Sequence, residues 1–140
     1  MQFVTCWDSK KHYAFWRPVT AIQEGENDGN PNTVGDPNWQ PFLNTPPYPD
    51  YTSGANNLFG ALSRTFALFF GTDDMPITLT SMNPRSAQKT REYKNFSDMA
   101  SDMVEARILQ GIHFRFADEA ARDQGRQVAE WVFSHVGAQR

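Results

Sequence analysis

The spacing of apolar residues predicts four helices joined by polar or proline-rich connections. In residues 2–22, Phe3, Val4, Trp7, Ala14 and Phe15 make an imperfect apolar stripe. Pro18 is expected to break or kink that helix, since proline lacks an N–H and its ring meets the preceding turn. Residues 53–70, SGANNLFGALSRTFALFF, carry the clearest pattern, with Leu58, Ala61, Leu62, Thr65, Phe66 and Phe69 at helical spacing. Thr52 or Ser53 would cap its start and Gly71 its end. Residues 97–111 read as a third helix, capped by Ser97 and stopped near Gly111. Residues 117–136 read as a fourth, with Ala121, Val128, Val132 and Val136 on one face and Gly125 as a weak point inside.

Between the first two helices lie residues 24–52, EGENDGNPNTVGDPNWQPFLNTPPYPDYT, which hold most of the prolines and many Gly and Asn. They predict a long loop. Its aromatics, Trp39, Phe42, Tyr48 and Tyr51, need somewhere to pack, so the loop should lie against the helices and serve a function. Residues 72–94 are ambiguous, with ITLTS able to form a short extended piece. No internal repeat is present. The fold class expected is an all-α helical bundle with long loops, formed as a single domain over residues 1–140.

Composition narrows the function. A net charge of −3 argues against general nucleic-acid binding, so any anion site must be a local concentration of Lys and Arg. Aromatics are 14% of residues, enough large side chains to fill a core. Cys6 is the single cysteine, which excludes an intrachain disulfide and a Cys-rich metal site and agrees with a reducing compartment. The start MQFVTCWDSKK has no signal-peptide pattern, and FALFFG, the longest apolar cluster, is too short to span a membrane. A cytoplasmic, non-membrane protein is the expectation.

Three segments carry candidate chemistry. In KKHYAFWRP, Lys10 and Arg17 are seven residues apart, which on one helix places them on the same side. The plain alternative is two solvent-facing cations. In PPYPDYTSGANN, Ser53-Gly54 opens an apolar helix, whose free N–H groups and positive dipole end favour an anion, or Ser53 is a cap and nothing more. In ARILQGIHFRFAD, His113 lies just past the end of a helix and can turn back towards Arg107, or it is a core or capping histidine. His12 and His135 read as surface residues. Together the segments offer three fixed cations, a hydroxyl, backbone donors and one imidazole. That inventory suits a tetrahedral oxyanion with a nitrogen ligand on its central atom.

With these motifs the sequence resembles the superfamily of vanadium-dependent haloperoxidases and type 2 phosphatidic acid phosphatases. The superfamily pattern is K-x6-R-P, then P-S-G-H, then S-R-x5-H-x3-D. This chain has Lys10-x6-Arg17-Pro18, Thr52-Ser53-Gly54-Ala55 and Ala106-Arg107-x5-His113-x4-Asp118. The resemblance implies that Lys10, Arg17, Ser53, Gly54 and Arg107 bind the oxygens of vanadate, or of phosphate in its place. It implies that His113 is the catalytic residue, as the metal ligand or as a phosphatase nucleophile. Trp7 and Tyr48 fall where haloperoxidases place aromatics beside the halide pocket. Halide and hydrogen peroxide would be the substrates.

Departures from the pattern matter. Ala55 stands where the family has an acid–base histidine, and alanine cannot move a proton. This counts against phosphatase chemistry more than against peroxidase chemistry. His12 could substitute from another helix. Asp118, one residue late, could orient the His113 ring. Family members carry several helices before the first motif, whereas here Met1 stands nine residues before Lys10. Exposed apolar faces are therefore expected, covered by a second copy in a homo-oligomer. The functions left open are a haloperoxidase-like enzyme, a phosphatase, and a non-catalytic remnant that binds an oxyanion or a protein partner.

Overall fold

The computed structural model describes residues 2–137. Five helices are α1 (Gln2–Tyr13), α2 (Pro18–Gln23), α3 (Gly54–Phe70), α4 (Phe96–Leu109) and α5 (Arg115–Val132), the last continuing into a π-helical turn at Phe133–Gly137. Between α3 and α4, β1 (Ile77–Thr80) and β2 (Thr90–Tyr93) pair antiparallel, Ile77 opposite Tyr93 and Thr80 opposite Thr90. ITLT is thus one arm of a hairpin, the single strand pairing among the described residues, which are mostly helical. As predicted, residues 24–52 form a long loop, with one 3-10 turn at Gly25–Asn27.

The first predicted helix is two. Chain direction changes at Ala14, whose φ is 44°, and Arg17 is extended at φ −96° and ψ 156°. The residue before a proline is pushed out of the α region, and proline's fixed φ suits the first position of a helix. Pro18 therefore starts α2 rather than kinking α1.

Helices α3 and α5 run side by side in the same direction, with Ser53 beside Ala117 and Arg64 paired to Glu130. Their contact is made by small residues. Ala117, Ala121, Gly125 and Ala129 are buried at four-residue intervals on α5, opposite Asn57, Gly60 and Ala61 on α3. A Cβ on Gly125 would stand 2.0 Å from the Asn57 carbonyl oxygen, and one on Gly60 would stand 2.1 Å from that of Arg122. Gly125 is therefore a point of closest packing, not the weak point its helix propensity suggests. Two of the large apolar residues expected to face inward do not: Phe69 on α3 is 72% exposed, and Val136, in the turn after α5, 66%. Helix α4 closes the core with Phe96, Met99, Ala100 and Val104.

Caps also differ from expectation. Asn95, not Ser97, precedes α4, and the Ser97 N–H donates to Asp73 Oδ1 at 3.0 Å. Gly111, at φ 74°, turns the chain from α4 towards α5. Phe3, Val4, Trp7 and Trp131 are exposed around the outer side of α1 and α5. Among the described residues no helix is long and apolar enough to cross a membrane.

Candidate functional site

The first turns of α3 and α5 lie together, fixed by the Ser53 N–H donating to the Ala117 carbonyl at 3.2 Å. Three further segments converge there: the end of α1, the turn before α2, and the α4–α5 link. Lys10 and Arg17 do meet, but not because they share a helix face. The break after Tyr13 folds Arg17 back onto the loop that Lys10 also reaches.

Lys10 is 1% exposed, and its ammonium donates to the carbonyls of Pro49 at 2.7 Å and Asp50 at 2.8 Å. Burial pushes its pKa down to about 8. Arg17 donates through Nε to the Tyr48 carbonyl and through a terminal nitrogen to the Ile112 carbonyl, both at 2.8 Å. It also forms an ion pair with Asp50 at 3.3 Å, inside the protein. The Tyr48 ring lies beneath both cations, its centroid 5.2 Å from Lys10 Nζ and 5.0 Å from the Arg17 guanidinium carbon.

His113 is 5% exposed and sits in the link that Gly111 turns. Its Nδ1 contacts the Asp50 carboxylate directly. Arg17 lies 3.3 Å from Nε2 and 3.5 Å from Nδ1. Burial lowers the pKa of the ring, with Arg17 and Arg107 adding to that and Asp50 opposing it, so the imidazole is neutral near pH 7. Asp118 is fully buried but stands 3.8 Å from Nδ1, beyond hydrogen-bond reach. The orienting role expected of Asp118 falls to Asp50 instead. Burial raises Asp118 to about 6, and neither of its oxygens has a hydrogen bond of normal geometry among the described residues.

Ser53 is fully buried and stands at the N-cap of α3, yet its side chain makes no cap bond. It instead accepts a long hydrogen bond from the Asn56 amide at 3.4 Å. Helical geometry leaves the N–H groups of the first turn without intrahelical partners. Gly54 has only Cys6 Sγ near its vacant Cβ position, at 3.8 Å, so packing alone would admit a side chain there. Arg107, in the last turn of α4, donates to Gln110 Oε1 at 3.1 Å, and its Nε is buried without a partner among the described residues. Its charge acts on Arg17, His113 and Asp118, which puts it at the edge of the same cluster. Trp7 and Tyr48 pack edge to face at 5.0 Å, but both are substantially exposed. His12 is exposed against Tyr13 and does not take the place of the histidine missing at Ala55.

Asp50 was not legible as a site residue. In PPYPDYTSG it reads as an acid in a proline-rich turn, and only the fold buries it against Arg17, His113 and the Phe114 N–H at 3.2 Å. Gln124 was missed for the same reason. It accepts from Thr52 at 3.0 Å and Asn57 at 2.8 Å and donates to Ser9 at 3.2 Å, tying α1, α3 and α5 together behind the cluster.

Comparison with known proteins agrees with this architecture. The family described as VCPO second helical-bundle domain matches residues 2–140. Vanadium chloroperoxidase from Curvularia inaequalis is 29% identical over 161 residues, covering 84% of this chain and 26% of that protein. A bacterial vanadium-dependent iodoperoxidase superposes with a TM-score of 0.77 at 32% identity, over 95% of this chain and 30% of the other. An apo bacterial vanadium-dependent chloroperoxidase shares the fold, with a TM-score of 0.73 at 22% identity, over 95% of this chain and 33% of the other. The chain thus spans about a quarter to a third of the relatives it matches. With the match running over essentially the whole sequence, the chain belongs to the VCPO second helical-bundle domain family.

Proposed function

We propose that this chain binds vanadate, or phosphate in its place, and supplies the oxyanion site of a haloperoxidase that oxidises halide with hydrogen peroxide. The observation that carries the reading is the burial of Lys10, Arg17 and His113, from three separate segments, around one point beside the α3 N-terminus. Burying cations is unfavourable unless something compensates them, and here carbonyls and one carboxylate do so only in part. The donor set fits the group. Arg107 Nε has no partner among the described residues, and no side-chain cap bond takes up the first-turn N–H groups of α3. Counting Lys10, Arg17 and Arg107 against Asp50 and Asp118 leaves a net positive cluster. In this reading Lys10, Arg17 and Arg107 would hold the oxygens of the anion, Ser53 and the Gly54 N–H would close the cradle, and His113 would supply the nitrogen ligand.

When bound, vanadate supplies the activation of peroxide towards halide. The chain's own part is to hold oxyanion charge where little water screens it. Tyr48 shields the cations on one side, with Trp7 beside it as the outer wall towards the halide. Alanine at position 55 cannot move a proton, which favours peroxidase over phosphate-ester chemistry.

Calorimetry with vanadate, and with phosphate as competitor, tests the proposal. Wild type should bind vanadate, phosphate should displace it, and His113→Ala should weaken vanadate by at least about a hundredfold, beyond the loss usual for outer partners of a metal ligand. Equal binding by wild type and variant, or no binding by wild type, sinks it.

Lys10 adds a pH signature. Its pKa of about 8 means the ammonium is lost as pH rises through that value. Phosphate keeps its dianionic charge across this range, so its affinity should fall above pH 8 by up to about tenfold per pH unit. Lys10→Met should bind more weakly at pH 7 and lose that slope; a slope unchanged in the variant would assign it to another group.

A further inference from the structure

We infer that Asp50 is the positioning residue of the site: it holds the His113 proton on Nδ1 and so keeps the ring's lone pair on Nε2. This rests on the reading of His113 as the nitrogen ligand, and deepens it.

Asp50 is fully buried, and its carboxylate is used completely. One oxygen meets His113 Nδ1 and Arg17, and the other accepts the Phe114 N–H at 3.2 Å. Its backbone N–H donates to the Phe15 carbonyl at 2.9 Å, so the loop cannot shift without breaking several bonds. A neutral imidazole has one N–H, and which nitrogen carries it is set by the partner of the other. Arg17 cannot choose, because it only donates and lies nearly equally far from both ring nitrogens. Asp118 is too far from Nδ1 at 3.8 Å. Among the described residues Asp50 is the acceptor within reach of Nδ1, so the proton stays there. Nε2 then carries the lone pair, 3.3 Å from the Arg17 terminal nitrogen.

The consequence is selective. A dative bond from Nε2 needs the lone pair there, whereas phosphate held only by cations and N–H groups does not. Asp50 should therefore raise the preference for vanadate over phosphate more than it alters anion binding as such.

Long-range proton–nitrogen NMR of the ligand-free, 15N-histidine-labelled protein reads the tautomer directly. Wild type should show His113 as the Nδ1–H form. Asp50→Ala should shift it towards the Nε2–H form that free imidazole side chains prefer, while Asp118→Asn should leave it as in wild type. The vanadate-to-phosphate affinity ratio should fall by about ten- to hundredfold in Asp50→Ala, with phosphate still bound. A wild-type spectrum in the Nε2–H form overturns the inference without any variant. A shifted tautomer with an unchanged ratio overturns the positioning role. If wild type binds neither anion, the proposed function fails while the tautomer measurement still decides on Asp50.

Discussion

Arg17→Met should lower folding stability by about 3–5 kcal/mol, the range for removing one member of a buried ion pair. The side chains of Arg17 and Asp50 are 7% and 0% exposed. Methionine fills much of the volume but leaves the Asp50 carboxylate without its cation and the carbonyls of Tyr48 and Ile112 without their donor. The pair itself need not stabilise the fold; what costs is the half left behind. The double variant Arg17→Met/Asp50→Asn should therefore recover part of the loss, a coupling that urea denaturation of the four proteins in the cycle measures. Arg17→Lys should recover less than its charge suggests, because an ammonium cannot reach the same carbonyls and carboxylate as the guanidinium fork. A loss below about 1 kcal/mol in Arg17→Met would mean that water reaches Asp50 and the cluster is not assembled as described.

Gly125→Ala should cost about 3 kcal/mol or more, against a helix-propensity gain of about 1 kcal/mol in the opposite direction. The added Cβ would stand 2.0 Å from the Asn57 carbonyl oxygen and 2.8 Å from the Ala61 nitrogen. These are backbone atoms of a neighbouring helix, so relief requires α3 and α5 to separate. Separation would also move Ser53 and Ala117 apart, and with them the cradle at the ends of both helices. The expected result is a lowered thermal midpoint together with weaker oxyanion binding. A stabilised variant would mean that propensity outweighs contact and that the helices are not this close. Gly71→Ala, at φ 74° with open space around it, serves as a comparison in which strain is present without a clash.

These two positions show where sequence reasoning reached its limit. The propensity of Gly125 is a local property, and by itself it reads as a defect. Its packing depends on Asn57 and Ala61, residues far away in the chain. Likewise the stripe Ala117, Ala121, Gly125, Ala129 has too little apolar area to dominate a hydrophobic pattern, while Val128, Val132 and the phenylalanines of α3 do. Area draws the eye in a sequence, but close approach of two helices selects for small residues. Phe3 and Trp7, read as part of an apolar stripe, are half exposed, as is Trp131, in keeping with the exposed apolar faces expected of this chain.

By itself the sequence determined what depends on near neighbours: helices ending at glycine or interrupted before proline, a long loop between residues 24 and 52, and His113 placed just past α4. It also determined the inventory of cations, hydroxyl and imidazole, since motif spacing preserves identity and order. Only the tertiary structure decided how these groups meet. The end of α1 at Tyr13, rather than a shared helix face, brings Arg17 to the loop held by Lys10. Asp50, unremarkable among prolines, becomes the partner of both Arg17 and His113. The physical reason is that a buried charge draws its meaning from what surrounds it in space, and those surroundings come from segments whose separation along the chain no local pattern encodes.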